Sequence, residues 1–278
     1  MFLFLKFLRL FCLNLFTYRN KRVPVGKFQI WVGKKCTLKC KNCSQLFPYF
    51  NGELYDLDDV IRNLQKVLPL CEVDSFHIVG GEPFFNKDIY KLIDFVCKQK
   101  HKSKNKVISN GTIIPSAVVL DVLRKYAKQI FVTVSLYECA AENQARFKDA
   151  CFANDIDCQE VTPVWHYVGD PGMKEITDLE AIKKNYQHCW DKSCKTFAKD
   201  TLSVCPRMQN SSLFFSHRAF FIENLHVKYI PQNFIGRALV ATCFDESFHR
   251  NACRYCHGVS AASGVRVFVA EQLQSLDS

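Results

Sequence analysis

Three cysteines in one short segment are the residues of this chain whose type and spacing point most directly to chemistry. Cys36, Cys40 and Cys43 are spaced C-x3-C-x2-C and directly follow a predicted strand. Thiolates are soft metal ligands, and a short loop brings them together at little entropic cost. A structural zinc site is normally closed by four ligands, so zinc would need a fourth, for which His77 is the candidate. Three thiolates can instead hold a cubane iron–sulfur cluster with one iron left open, and we favour the cluster.

A second group of cysteines lies in the last third of the chain, where Cys253 and Cys256 form a C-x2-C pair. The group comprises Cys189, Cys194, Cys205, Cys243, Cys253 and Cys256. Five others lie in apolar runs or lack ligand spacing and are predicted to be structural: Cys71, Cys97, Cys139, Cys151 and Cys158. The total of 15 is odd and unevenly spaced, which does not indicate a disulfide framework. Metal ligands need reduced thiols, so the cysteines predict a cytoplasmic setting.

The first half of the chain alternates predicted strands with amphipathic helices. The strands are expected at 28–32, 76–79, 107–109 and 130–134. The helices are expected near 56–68, with Asp56 as N-cap, and near 89–96, 115–127 and 140–153. This alternation predicts an α/β fold with a parallel sheet, either open or curled into a barrel. Beyond about residue 165 the rhythm is lost, which suggests a separate, smaller unit.

Small and polar motifs follow the predicted strands. The second strand is followed by Gly80, Gly81, Glu82 and Pro83, the third ends in Ser109, Asn110 and Gly111, and the fourth ends in Ser135. The carboxyl ends of strands are where α/β sheets and barrels place their sites. Glycine allows the backbone to approach a ligand closely, and a carboxylate can accept hydrogen bonds from an ammonium group.

Together with the cysteine triplet, these motifs resemble the radical S-adenosylmethionine (SAM) superfamily. The resemblance implies a partial (β/α)6 TIM-like barrel and a [4Fe–4S] cluster whose open iron chelates SAM. It also implies that the Gly80–Pro83 motif contacts the methionyl amino group, with Ser109, Asn110 and Ser135 among the cofactor-binding residues. The family usually has an aromatic residue just before the third cysteine, near the adenine, whereas this chain has Asn42.

The second cysteine group is similar to a twitch domain, a relative of the SPASM domain that holds one auxiliary [4Fe–4S] cluster. The resemblance implies Cys194, Cys205, Cys253 and Cys256 as its ligands. Cys189 and Cys243 are reserves, and Cys189 could replace one ligand or act catalytically as a hydrogen donor. The family has a glycine where this chain has Asp200. A zinc site built from the same four cysteines is the alternative.

The wider resemblance is to twitch-bearing proteins associated with bacterial cell-surface polysaccharide gene clusters. It implies an enzyme that cleaves SAM reductively and abstracts a hydrogen atom from a sugar- or peptide-type substrate, with an electron donor such as flavodoxin or ferredoxin. Two alternatives are a non-catalytic zinc-binding scaffold and a radical SAM peptide-modifying enzyme. Against the latter, the segment before Cys36 is too short for the precursor-binding winged-helix domain that such enzymes often carry.

Charge and hydropathy limit what can be expected of nucleic-acid binding and membrane contact. The net charge of +10 is spread along the chain without a nucleic-acid motif, and no stretch of 18 uncharged apolar residues predicts a membrane span. Residues 1–22 read as an amphipathic segment with Lys6, Arg9 and Asn14 in one polar strip. It would lie on the inner membrane or pack on the protein or a partner. We therefore predict a core barrel at 23–180, the auxiliary-cluster domain at 181–260 and a tail at 261–278.

Overall fold

The computed structural model describes residues 2–213, 224–260 and 265–273, and these contain a mixed sheet of eight strands. The strands are β1 (Val23–Trp31), β2 (Cys71–Val79), β3 (Asn105–Ser109), β4 (Ile130–Ser135), β5 (Cys158–Val161), β6 (Cys194–Ala198), β7 (Thr201–Ser203) and β8 (Asn224–His226). Their order is β5-β4-β3-β2-β1-β6-β7-β8. All pairs from β5 to β6 are parallel, whereas β6–β7 and β7–β8 are antiparallel. The predicted α/β class with a mostly parallel sheet is confirmed.

Seven α-helices accompany the sheet in the described ranges. They are α1 (Phe2–Thr17), α2 (Leu57–Val67), α3 (Ile89–Cys97), α4 (Ala117–Lys125), α5 (Ala141–Phe152), α6 (Leu179–His188) and α7 (Phe234–Cys243). Asp56 caps α2 as predicted, because its carboxylate accepts from the backbone N–H groups of Asp58 and Asp59. Helices α2 to α6 lie between successive strands from β1 to β6, which run parallel and must be joined by crossovers.

The core lies where the apolar side chains of the strands meet the helices. Phe28 of β1 is fully buried, and its ring lies 6.0–6.3 Å from those of Phe76, Phe197 and Phe244. The register pairs Trp31 with Val79 at the carboxyl ends of β1 and β2. Because the strands from β5 to β6 run parallel, the polar motifs that follow β1 to β4 share one edge of the sheet.

The carboxy-terminal region continues the same sheet. β6 pairs with β1, Lys27 lying opposite Cys194, and β7 and β8 extend the sheet beyond it. The boundary predicted between residues 180 and 181 falls inside α6, and the division into domains stays a prediction. Part of the predicted tail, 261–264 and 274–278, lies outside the described residues.

Helix α1 packs on α7, and one of its polar residues is on the inner face. The buried Asn14 side chain donates a hydrogen bond of 3.0 Å to the Thr242 hydroxyl. The prediction that Asn14 shares one polar strip with Lys6 and Arg9 is therefore wrong. Asn14 is buried between the helices, where its amide has a hydrogen-bond partner. Within the described residues, no helix is both long and apolar enough to cross a membrane.

Candidate active site

The three cysteines of the first group line one cavity at the carboxyl edge of the sheet. Cys36, Cys40 and Cys43 lie in the loop between β1 and α2, and the cavity measures about 420 Å³. In the described ranges, no three His, Cys, Asp or Glu side chains lie close enough together to hold a single metal ion. A cubane binds each thiolate through a different iron atom and so needs a wider spacing than one ion does. His77 does not line this cavity; its ring instead contacts the Ser75 hydroxyl at 3.3 Å.

Glycine is required after β2 because the cysteine loop passes against it. A Cβ atom on Gly81 would lie 2.2 Å from the backbone oxygen of Lys35, and one on Gly80 would lie 2.8 Å from that of Gly33. The two backbones are also hydrogen-bonded, from Gly81 N to Gly33 O at 3.2 Å and from Glu82 N to Lys35 O at 2.8 Å. Any larger residue would push the loop away from the sheet. The Gly80–Gly81 pair therefore positions the segment that leads into Cys36.

The Glu82 carboxylate joins the ends of β2 and β3. It accepts hydrogen bonds from the Ser109 hydroxyl at 2.9 Å, Asn110 N at 2.8 Å and Phe84 N at 3.1 Å. The side chain is 1% exposed and does not line the cavity, whereas Gly80, Gly81, Ser109 and Asn110 do. Burial raises the pKa of Glu82 to about 7, and the three donors limit that rise. Pro83 begins the short 3₁₀ helix that follows.

Hydrogen-bond donors reach the sulfur atoms of the triplet. Asn110 Nδ2 and Leu38 N each lie 3.5 Å from Cys36 Sγ, and Gln272 Nε2 lies 3.5 Å from Cys40 Sγ. Burial nevertheless raises the pKa of Cys36 to about 11 and that of Cys40 to about 12. Thiols of this kind release their protons when a metal binds, and the donors then stabilise the thiolates.

The remaining cavity wall combines aromatic and aliphatic side chains with polar groups and His166. It includes Ser135 at the end of β4, Tyr137, and two tryptophans, Trp165 and Trp190. The Tyr137 and Trp165 rings meet edge to face at 5.8 Å. The described residues that line the cavity include no Asp, Glu, Lys or Arg. At its floor, Gln29 Oε1 is buried and has no hydrogen-bond partner in the described part of the chain.

Four cysteines of the second group line another cavity. They are Cys189, which ends α6, together with Cys205, Cys253 and Cys256. Gly258 N donates to Cys256 Sγ at 3.3 Å, and Arg250 N donates to Cys253 Sγ at 3.4 Å.

The other two cysteines of that group lie elsewhere in the described structure. Cys194 begins β6 beside Lys27 and is not among the residues lining the second cavity. The buried Cys243 thiol contacts the backbone oxygen of Leu202 at 3.6 Å. The structure thus brings three of the four expected auxiliary ligands together with the reserve Cys189.

Arg207 connects the two groups of thiols. Its buried guanidinium donates to the backbone oxygens of Ser44 at 3.1 Å, Gly169 at 2.9 Å and Tyr255 at 3.2 Å. Ser44 directly follows Cys43, and Tyr255 directly precedes Cys256. One side chain therefore fixes the distance between the two cysteine loops.

Sequence reasoning missed several residues at these sites. Arg207 and Gln272 carry no spacing signal, because their partners are distant in sequence. Trp165 and Trp190 could have been noticed, since the chain has only three tryptophans. Of the five cysteines expected to be structural, Cys71, Cys97 and Cys151 are buried, whereas Cys139 is exposed and lies beside Gln272.

Comparisons with known proteins agree with this arrangement. Residues 31–152 match the sequence profile of the Radical SAM superfamily. The chain is 29% identical over 118 residues to the antilisterial bacteriocin subtilosin biosynthesis protein AlbA of Bacillus subtilis (strain 168). This match covers 41% of this chain and 25% of AlbA. The matched segment thus spans a quarter of that relative.

Two solved structures are also similar. One is Streptococcus suis SuiB bound to precursor peptide SuiA. The alignment covers 55% of this chain and 36% of the SuiB chain, at 21% sequence identity and a TM-score of 0.42. The other is BtrN in complex with AdoMet and 2-DOIA. The alignment covers 90% of this chain and 97% of the BtrN chain, at 12% sequence identity and a TM-score of 0.44.

The chain carries a radical SAM domain, which confirms the resemblance seen in the motifs. The family of the matched domain uses a [4Fe–4S] cluster and SAM.

Replacing Glu82 by Gln should destabilise the fold. The variant places an amide NH₂ among three hydrogen-bond donors, so at least one buried donor loses its acceptor. We expect the free energy of unfolding to fall by about 1–3 kcal/mol in anaerobic urea denaturation of the metal-free protein. The exposed Glu138, replaced in the same way, is the control. Equal stability of wild type and Glu82→Gln at or below about pH 4.5 would contradict the role given to this side chain.

The loss of stability in Glu82→Gln should also depend on pH in a defined direction. The folded-state pKa of about 7 lies above the ordinary value of 4.5, so the folded protein keeps a proton that the unfolded chain releases. The contribution of Glu82 is therefore fully present below about pH 4.5 and declines as the pH rises to about 7. The stability difference between wild type and Glu82→Gln should shrink over that interval.

Proposed function

We propose that this chain is a radical SAM enzyme and that it abstracts a hydrogen atom from the sugar part of a substrate bound in the cavity beside Cys36, Cys40 and Cys43. The observation that carries the proposal is the cavity itself. Its described wall combines the cysteine triplet and the strand-end motifs with aromatic rings, uncharged amides, aliphatic side chains and His166. Aromatic faces and amide groups suit a neutral molecule rich in hydroxyl groups.

The residues present fit the cofactors of the family. Three thiols face one cavity, and donors already point at the sulfurs of Cys36 and Cys40. The cluster and SAM together supply reductive cleavage of a sulfonium and hydrogen-atom abstraction. The protein holds the thiolates and orients SAM along the strand ends at Gly80, Ser109 and Asn110.

The substrate would lie opposite these strand ends, against Trp165 and Trp190. Gln29 lines the cavity, and its buried Oε1 has no hydrogen-bond partner among the described residues, so a rotation of the amide toward the cavity would present an acceptor to a hydroxyl or ammonium donor of a bound molecule. A diphosphate would find no Lys or Arg on the described wall. If the substrate is a nucleotide-sugar, we therefore place its diphosphate outside the cavity. A role in cell-surface glycan biosynthesis rests on the resemblance in the sequence.

A peptide-type substrate is the second candidate. It is favoured by the similarity to AlbA, a bacteriocin biosynthesis protein, and SuiB was solved with a precursor peptide bound. An apolar or aromatic peptide side chain would suit the same wall, so the substrate assay must include both classes.

We also propose an auxiliary [4Fe–4S] cluster on Cys189, Cys205, Cys253 and Cys256. These four thiols line one cavity, whereas Cys194 lies against β1 beside Lys27. In this assignment Cys189 is a ligand, which removes it as a catalytic hydrogen donor. An electron donor such as flavodoxin or ferredoxin would supply reducing equivalents to the enzyme.

The outer face of α1 is proposed to contact the inner face of an anionic membrane, which would place the protein in the cytoplasm. This face exposes the large apolar side chains Phe4, Leu5, Leu8, Leu13 and Phe16. Exposed basic residues lie beside them: Lys6, Arg9, Arg19, Lys21 and Arg22. Apolar area and positive charge together favour binding to anionic lipid.

Anaerobic incubation with SAM, a reductant and candidate glycans or peptides should yield 5′-deoxyadenosine and a modified substrate detectable by mass spectrometry. Cys40→Ala should reduce 5′-deoxyadenosine below detection, because one iron of the cluster loses its ligand. Cys12→Ala, the same change at an exposed position on α1, should leave it unchanged. Undiminished 5′-deoxyadenosine from Cys40→Ala would refute the assignment. A colourless protein that holds only zinc would favour the scaffold alternative.

The auxiliary ligand set can be tested by a matched pair of substitutions. After reconstitution, Cys189→Ser should lose one cluster's share of iron and sulfide, and Cys194→Ser should retain both clusters. Iron analysis together with Mössbauer spectroscopy measures this. Loss in Cys194→Ser with retention in Cys189→Ser would reverse the assignment, and no loss in either variant would refute it.

Membrane contact predicts co-sedimentation with vesicles that contain phosphatidylglycerol. The double substitution Phe4→Ser and Phe16→Ser should lower the bound fraction several-fold, and high salt should lower it in the wild type. Phe152→Ser, at an 86% exposed position on α5, is the control. Equal binding by the double variant and the wild type would exclude α1 as the contact.

A further inference from the structure

The segment 265–273, here called the strap, pairs with residues 165–167 at its start and with the cysteine loop at its end. At its start, Tyr167 N donates to Val265 O at 2.9 Å and Val267 N donates to Trp165 O at 3.1 Å. At its end, Lys41 N donates to Glu271 O at 2.7 Å and Leu273 N donates to Lys39 O at 2.8 Å. The strap therefore ties the aromatic wall to the residues on either side of Cys40.

Gln272 is the strap residue that reaches the site. Its Oε1 accepts from Lys39 N at 2.8 Å, while its Nε2 lies 2.6 Å from Ala270 O and 3.5 Å from Cys40 Sγ. A second thiol, that of Cys139, lies 3.8 Å from the same nitrogen. The Ala270 contact uses one amide hydrogen, which leaves the other for sulfur. When Cys40 is a thiolate bound to iron, it is the stronger acceptor of the two sulfurs.

We infer that Gln272 is a positioning residue that donates a hydrogen bond to the Cys40 ligand and thereby tunes the radical cluster. The inference rests on Cys40 holding the cluster, as proposed above. Hydrogen bonds to cysteine sulfur are among the factors that set the reduction potential of iron–sulfur clusters. The reduced cluster carries more negative charge than the oxidised one, so the donated bond stabilises the reduced form more. The carboxamide also couples loop and donor, because its oxygen anchors Lys39 next to the ligand.

The test uses two substitutions to distinguish the hydrogen bond that the carboxamide accepts from Lys39 from the one that it donates to Cys40. Gln272→Leu removes both contacts, whereas Gln272→Glu keeps an oxygen that can accept from Lys39 N but replaces the donor with an acceptor. The reduction potential is measured by anaerobic redox titration with EPR detection, using the signal that changes on SAM addition to identify the radical cluster. Gln272→Leu should lower the midpoint potential by up to about 59 mV, a tenfold change for one electron. Gln272→Glu should lower it further.

A matched control and a second readout keep the outcomes distinct. Gln232→Leu removes an exposed glutamine that contacts Lys66 O at 2.7 Å, and it should leave the potential unchanged. If Gln272 only held the loop, Gln272→Leu would reduce the yield of reconstituted cluster without changing its potential, and the inference would be wrong. An unchanged potential in Gln272→Glu would also overturn it. A wild-type protein without the SAM-sensitive signal would refute the proposed function instead.

Discussion

The site depends on one close approach, between the backbone leading into Cys36 and the glycine pair after β2. A side chain on Gly81 would overlap the carbonyl of Lys35, so the loop can sit on the sheet only when that position lacks a Cβ atom. Two backbone hydrogen bonds then fix the loop in place. The glycines thus act on the protein's own backbone as well as lining the cavity. A cofactor held by Cys36 is consequently positioned by the end of β2.

A buried carboxylate extends this arrangement from β2 to β3. Glu82 accepts from the Ser109 hydroxyl and Asn110 N, and Asn110 in turn donates to Cys36 Sγ. Gln144 of α5 continues the series by donating to the backbone oxygens of Asn110 at 2.7 Å and Ser135 at 2.8 Å. Buried polar groups of this kind are costly unless each has a partner, so the ends of three strands and the cysteine loop are stabilised as one network.

The sequence allowed the first half of the fold and the cysteine loop to be predicted, because their signals are local. Asp56 caps α2 where expected, and the strand-end motifs lie together as parallel pairing requires. The pairing of β6 with β1 could not be predicted, since it joins residues that lie 167 positions apart in the sequence, such as Lys27 and Cys194. Cys189 and Cys194 differ by five positions, and only the end of α6 and the start of β6 decide which thiol faces the second cavity. Gln272 lies in a tail with no motif, and its importance comes entirely from tertiary contact.

The uncharged cavity suits chemistry in which a hydrogen atom, not a proton, must move. Charged side chains bring water, and water or a nearby thiol would compete for a reactive species. Cys139 is a thiol near Cys40 that is not assigned to a cluster. Its sulfur lies 3.8 Å from Ala270 O and 3.8 Å from Gln272 Nε2, so it already has hydrogen-bond partners. Arg207, a buried cation, is directed instead at three backbone carbonyls and joins the two cysteine loops. The described residues that line the cavity consequently include no Asp, Glu, Lys or Arg, and its wall is formed by aromatic and aliphatic side chains, neutral polar groups and His166.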